Sequence, residues 1–177
     1  MNGFIMPKKV MKKIIVTIAL LLTGHEAISQ ELNSDTFNFW QGKWQAKWVD
    51  GQGNEGGGTN QIGFITGGKV LHENFEISKG PNAGYKGTSI SVFNPNTNVW
   101  HQTWMDNQGG NIVFTGEVAD DKRIFKTAMQ NLNGQQIQSR MVFYDIQKDR
   151  FTWDWERTTD GGKTWNLNWR IQYTRMN

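Results

Sequence analysis

The chain has 177 residues, no cysteine, nine tryptophans, ten phenylalanines and twenty glycines, with 19 basic and 16 acidic side chains. Without cysteine there is no disulfide framework and no lipid-anchoring thiol, so the fold rests on packing alone. Residues 1–29 carry four lysines and one glutamate, which leaves fifteen side chains of each sign in residues 30–177 and no basic cluster to meet nucleic acid.

The N-terminus reads as a targeting segment. Met11-Lys12-Lys13 is a short positive start, Ile14–Leu22 is an apolar run too short to span a bilayer comfortably, and Ala27-Ile28-Ser29 is a small-x-small cleavage site. The expectation is a secretory signal peptide over residues 1–29, with residues 1–10 as an upstream extension and Gln30 as the first mature residue. The alternative, an uncleaved membrane anchor, is disfavoured by the length of the apolar run. The expected location is the bacterial periplasm or the medium, with no stable membrane insertion after cleavage. Residues 30–177 suffice for one domain with one core.

Asn33–Trp40 suits one turn of helix capped by Ser34 or Asp35. From Gly42 onward the pattern changes to period two: Trp44, Ala46 and Trp48 alternate with Lys43, Gln45 and Lys47. Asp50–Gly58 reads as a flexible connection, followed by strands over Thr59–Ile65 and Val70–Ser78 and a loop over Lys79–Lys86. Three alternating runs then follow, Gly87–Phe93, Val99–Asp106 and Asn111–Val118, joined by Asn/Gly/Pro turns. Further strands are expected over Arg123–Gln130, Gln135–Tyr144, Arg150–Arg157 and Thr164–Arg175, the last with Trp165, Leu167, Trp169, Ile171 and Tyr173 on one face. Short connections leave no room for parallel crossovers. About ten sequential antiparallel strands avoid exposed edges by closing on themselves, so the expected fold is all-β, an up-and-down barrel with an interior wider than side chains need fill. A β-sandwich is the competing architecture.

Two motifs have structural readings. Gly42-x-Trp44 at the first strand resembles the start of the calycin (lipocalin-like) barrels, and that resemblance implies a tryptophan plugging one barrel end and stacked on a late arginine, either Arg175 or Arg170. Thr158-Thr159-Asp160-Gly161-Gly162-Lys163-Thr164-Trp165 fits an Asp-box; a propeller needs several, so one box reads as a hairpin turn held by Asp160, with Trp165 packed beneath it.

The chain resembles the DUF1579-type lipocalin-like family of bacterial proteins. The resemblance runs through Gly42-x-Trp44, Leu71–Phe75, Gly87-Thr88-Ser89, Trp100–Asp106, Trp155-Glu156, Asp160–Trp165 and Tyr173-Thr174-Arg175. It implies a calycin-like barrel and brings no chemistry with it.

The functional candidates are polar residues on otherwise apolar faces. Glu73 shares a face with Leu71, Phe75 and Ile77; Trp100, Gln102, Trp104 and Asp106 share another. With Ser89, Arg140, Trp155 and Glu156 they form a candidate pocket, aromatic walls around a few converging polar groups. The same residues also suit a closed hydrogen-bond network that only shapes the barrel, and Asp106 also suits capping the turn after it. His72 and His101 fall opposite the aromatic faces. His72, Asn74 and Glu76 sit at metal-compatible spacing, but a solvated face is the simpler reading and no metal is expected. A haem barrel needs an inward axial histidine, which the final strand lacks, so no cofactor is expected.

No nucleophile elbow, zinc-protease helix or phosphate loop is present. The expected function is therefore an exported barrel, monomeric or weakly dimeric, that binds a small, partly apolar molecule. In that reading Trp104→Ala weakens binding and Asp106→Asn changes selectivity more than stability. The alternatives are an enzyme using a carboxylate pair, Glu73 with Asp106 or Glu156, and a surface module for glycan or protein that needs an exposed aromatic patch.

Overall fold

A computed structural model describes residues 31–177; the signal-peptide expectation falls outside the described residues. Eleven strands follow one short 3-10 turn: β1 (Gly42–Val49), β2 (Glu55–Ile65), β3 (Val70–Lys79), β4 (Lys86–Asn94), β5 (Val99–Asp106), β6 (Asn111–Ala119), β7 (Lys122–Lys126), β8 (Gln130–Leu132), β9 (Gln135–Tyr144), β10 (Arg150–Thr158) and β11 (Asn166–Arg175). The chain is an up-and-down barrel. Consecutive antiparallel pairing runs from β1 to β7, passes to β9, β10 and β11, and closes where β11 pairs with β1. Ten strands make the wall, and the three-residue β8 pairs only with β9. Closure satisfies the backbone groups that an open sheet leaves at its edges.

The end of the barrel that carries the residues before β1 is plugged by aromatics. A 3-10 turn at Asn38–Trp40, preceded by turns rather than an α-helix, drops Phe37 and Trp40 into this end. Neither Ser34 nor Asp35 caps its backbone; the nearest side-chain bond is from Asn38 Nδ2 to Asp35 Oδ1 at 2.7 Å. Phe37 stacks on Phe125 at 4.1 Å and meets Trp100 edge-on at 5.3 Å. Gly116 on β6 lets these rings close up, since a Cβ there would lie 2.7 Å from that of Trp100. The indole N–H of Trp44 donates to Trp40 O at 2.8 Å and that of Trp100 to Asn33 O at 2.7 Å, so these two buried polar tips are satisfied, while the buried Trp40 Nε1 finds no partner. Outside, the Arg175 guanidinium lies 4.0 Å from the Trp44 ring and donates to Gln41 O and Lys148 O. Of the two arginines considered for that stack, Arg175 is the one used; Arg170 pairs instead with Asp154.

Three strands depart from the expected pattern. β2 begins at Glu55, so Gly56, Gly57 and Gly58 are strand, not loop. Two of them are required to be glycine by what lies against them: a Cβ on Gly56 would fall inside the Trp48 indole, and one on Gly58 would sit 2.1 Å from Glu76 O at a bulge against β3. The strand expected over Arg123–Gln130 breaks into β7 and β8, because three residues of this segment oppose two of β9 between the Lys126–Arg140 and Gln130–Ile137 pairs. Ser139 N there bonds the Thr127 hydroxyl at 3.1 Å instead of a carbonyl. The register of β10 and β11 shifts between Trp155 and Glu156, so Trp169, Ile171 and Tyr173 face inward while Leu167 is exposed and Trp165 lies before the strand.

The Asp-box is a hairpin turn between β10 and β11. Asp160 accepts from the Thr158 hydroxyl at 2.7 Å, Thr164 N at 3.0 Å and the Thr164 hydroxyl at 2.7 Å, and these bonds hold its carboxyl well below the usual range. Trp165 lies on the Arg140 guanidinium, 3.8 Å from ring centroid to carbon, on the outer wall.

Candidate functional site

Above the aromatic plug the barrel is hollow. A cavity of about 280 Å³ occupies the half toward the β5–β6 and β10–β11 turns. Alternation puts Phe75 of β3, Trp104 of β5 and Phe114 of β6 on one side of it; Trp153 and Trp155 of β10 and Trp169 of β11 form the other. Met141, Ile112, Ile171 and Trp40 complete the apolar lining. The indoles of Trp153 and Trp155 are near parallel at 9°, and Trp169 meets Trp153 edge-on at 5.6 Å. The wide interior exists because ten strands set the girth while the plug fills only one end.

The polar floor is built around Glu73. Its Oε1 accepts from Asn60 Nδ2 at 2.7 Å and its Oε2 from Ser89 Oγ at 2.6 Å. Ser89 is directly opposite Glu73 across β3–β4, and Asn60, opposite Phe75 across β2–β3, reaches Glu73 diagonally. Gln102 on β5 extends the network, donating to Ser91 Oγ at 3.0 Å and Ser89 Oγ at 3.3 Å. Burial pushes the Glu73 carboxyl up to about 7, and the bonds from Ser89 and Asn60 offset only part of that. Burial, with the Glu73 carboxyl beside it, raises the phenol of Tyr173 as well, against an opposing bond with Asn60.

The rim is built around Asp106. Its Oδ1 accepts Gly110 N at 2.8 Å and Gln108 N at 2.9 Å, closing the turn after β5. Its Oδ2 accepts the Tyr85 hydroxyl at 2.9 Å and the Trp104 indole N–H at 3.2 Å. These donors hold the carboxyl below its ordinary value, the Gly110 amide most of all. The Trp104 ring lies over Gly87, where a Cβ would fall 1.9 Å from Cζ2. Tyr85 and Trp169 also line a broader depression outside, with Trp48, Ile77 and Pro81, which places the cavity's mouth beside the β3–β4 loop.

Of the candidates read from the sequence, Glu73, Trp104, Asp106 and Trp155 line the cavity. Ser89 and Gln102 are buried behind Glu73 as its network. Trp100 belongs to the plug. Arg140 and Glu156 pair at 2.6 Å on the outer wall beneath Trp165, because each is one residue out of phase with the inward Met141 and Trp155. A Glu73–Glu156 acid/base pair is therefore not assembled. Asp106 lines the same cavity as Glu73, but both its oxygens are engaged. Sequence reasoning passed over Asn60, Tyr85, Trp153, Trp169 and Tyr173. Asn60 had a signal, since it shares the face of Ile62 and Phe64 on β2.

His72 bonds the Thr88 hydroxyl at 3.0 Å and His101 is exposed, so neither enters the cavity. Among the described residues no cluster of three metal-ligating side chains occurs. The most exposed large hydrophobics among them are aliphatic or methionine, whereas the aromatic side chains of Trp48, Tyr85 and Trp169 are part-buried around the outer depression. No family model matches the chain, and no curated protein is significantly similar to it.

Proposed function

We propose that this protein is an exported barrel that binds a small, partly apolar molecule in its interior. The observation that carries the reading is a cavity of about 280 Å³, walled by aromatic rings, with one buried carboxyl at its floor and its rim fixed by Asp106. Few precisely placed polar groups in an apolar hollow are what orient a small ligand. The export half rests on the charged start, apolar run and cleavage pattern of residues 11–29. Kinship with the DUF1579-type lipocalin-like proteins is part of the same proposal and rests on the motif residues from Gly42 to Arg175.

Tryptophan emission tests the binding reading, since five of the nine indoles line the cavity. A ligand is expected to shift the emission saturably, with Trp104→Ala weakening it by about tenfold or more, the size of one lost aromatic contact. Unchanged affinity in Trp104→Ala would move the ligand out of this cavity. One observation favours a second reading: a carboxyl near 7 is suited to proton transfer at neutral pH. Turnover of a bound compound, abolished in Glu73→Gln, would support an enzyme.

A further inference from the structure

The cavity's charge is one-sided. Its lining holds two carboxyl groups, Glu73 at the floor and Asp106 at the rim, and no lysine, arginine or histidine. Behind Glu73 lie two further buried acceptors. Asn60 turns its amide nitrogen to Glu73 and Gln102 turns its own to Ser89 and Ser91, which leaves the buried Asn60 Oδ1 and Gln102 Oε1 without a hydrogen-bond partner. The lining also holds two neutral donors, the Tyr173 hydroxyl and the buried Trp40 indole N–H, so its only ionisable groups of low pKa are the two carboxyls. Between floor and rim stand the rings of Phe75, Tyr85, Trp104, Trp153, Trp155 and Trp169. Aromatic faces carry negative potential and attract a cation within about 6 Å of the ring centroid. An anion entering here meets two carboxyl groups and no positive partner, and a purely apolar molecule leaves the floor unanswered.

We propose that the cavity selects an organic monocation, a protonated amine on an apolar or aromatic body, with the ammonium toward Glu73 and the body against the tryptophans. This rests on the binding reading above and narrows its ligand. Glu73 is the selecting group: ionised, it matches the ammonium; protonated, it is a neutral partner. The groups that face it are Asn60 from β2, Ser89 from β4 and the phenols of Tyr173 and Tyr85, both of which titrate well above it. No basic side chain lines the space in front of it.

Three probes of one shape separate the outcomes by tryptophan fluorescence at pH 8: 2-phenylethylammonium, propylbenzene and phenylacetate. The ammonium is expected to bind at least about tenfold tighter than either of the others. In Glu73→Gln its advantage over propylbenzene is expected to shrink by about tenfold. Wild-type protein supplies an independent check, because lowering the pH from 8 to 6 protonates Glu73 and is expected to weaken the ammonium by a similar factor but not propylbenzene. Phenylacetate binding as tightly as the ammonium, or an ammonium preference indifferent to both Glu73→Gln and pH, overturns the proposal and leaves the binding cavity standing. No response to any of the three overturns both.

Discussion

A carboxyl group held between Asn60 and Ser89 and out of water keeps its proton to a higher pH than the same group in the unfolded chain. Below about pH 4.5 Glu73 is protonated in both states and costs nothing. As the pH rises toward 7 the unfolded chain releases the proton and the folded one retains it, so stability falls across this window and levels off above it. The loss is on the order of 3 kcal/mol for this group. Glu73→Gln removes the titration, so the melting temperature of the variant relative to wild type is expected to climb between pH 5 and pH 8; parallel curves would mean that Glu73 is not buried as described. Asp106 behaves in the opposite way, since every partner it has is a donor to an ionised carboxylate. Asp106→Asn would set an NH₂ against the Tyr85 hydroxyl and the Trp104 indole N–H, or against two backbone amides. Beside the change in selectivity expected from the sequence, Asp106→Asn is therefore expected to lower the melting temperature and alter the near-UV dichroism of Trp104, and Tyr85→Phe to do less of both.

Elements show where period two is a sufficient guide and where it is not. It was enough for β3 and β5, whose alternation carries Glu73 and Gln102 inward with Phe75 and Trp100. It also held the answer for Glu156, because the phase of Trp153 and Trp155 on β10 already puts the carboxylate on the other side. It could not show that glycines 56–58 are strand, because a glycine run carries no alternation, and the Trp48 ring over Gly56 and the β3 backbone against Gly58 appear only once the strands pair. Nor does it reveal the one-residue slips at Thr127–Met129 and Trp155/Glu156, which belong to pairings between strands. Two substitutions probe these elements. Gly87→Ala would drive a methyl into the Trp104 ring and is expected to break its bond to Asp106, with loss of ligand response in a protein that still melts cooperatively. Arg175→Ala removes the cover of Trp44 and two bonds to the carbonyls of Gln41 and Lys148, and is expected to cost about 1–3 kcal/mol in a denaturant melt. Arg175→Lys is expected to recover little of this, since an ammonium cannot stack flat while donating to both carbonyls.

At the scale of the molecule, the division of labour is between the two ends of one barrel. Closure through the β11–β1 pairing needs a girth that side chains do not fill, and the segment before β1 fills one end with Phe37 and Trp40. The other end keeps its hollow, rigid because its wall is a continuous hydrogen-bonded ladder and its rim is tied at Asp106. What the sequence could not specify was which polar residues share that hollow, since the phase of each strand fixes two faces but the girth and tilt decide which faces meet. The account stands on the hollow being occupied in use. Native mass spectrometry of the protein purified gently from its own host tests this most directly, run beside Trp104→Ala. The account predicts a stoichiometric non-protein mass on the wild type that is diminished in the variant. A bare polypeptide mass from both, with tryptophan emission indifferent to amines, neutral aromatics and acids alike, would contradict it.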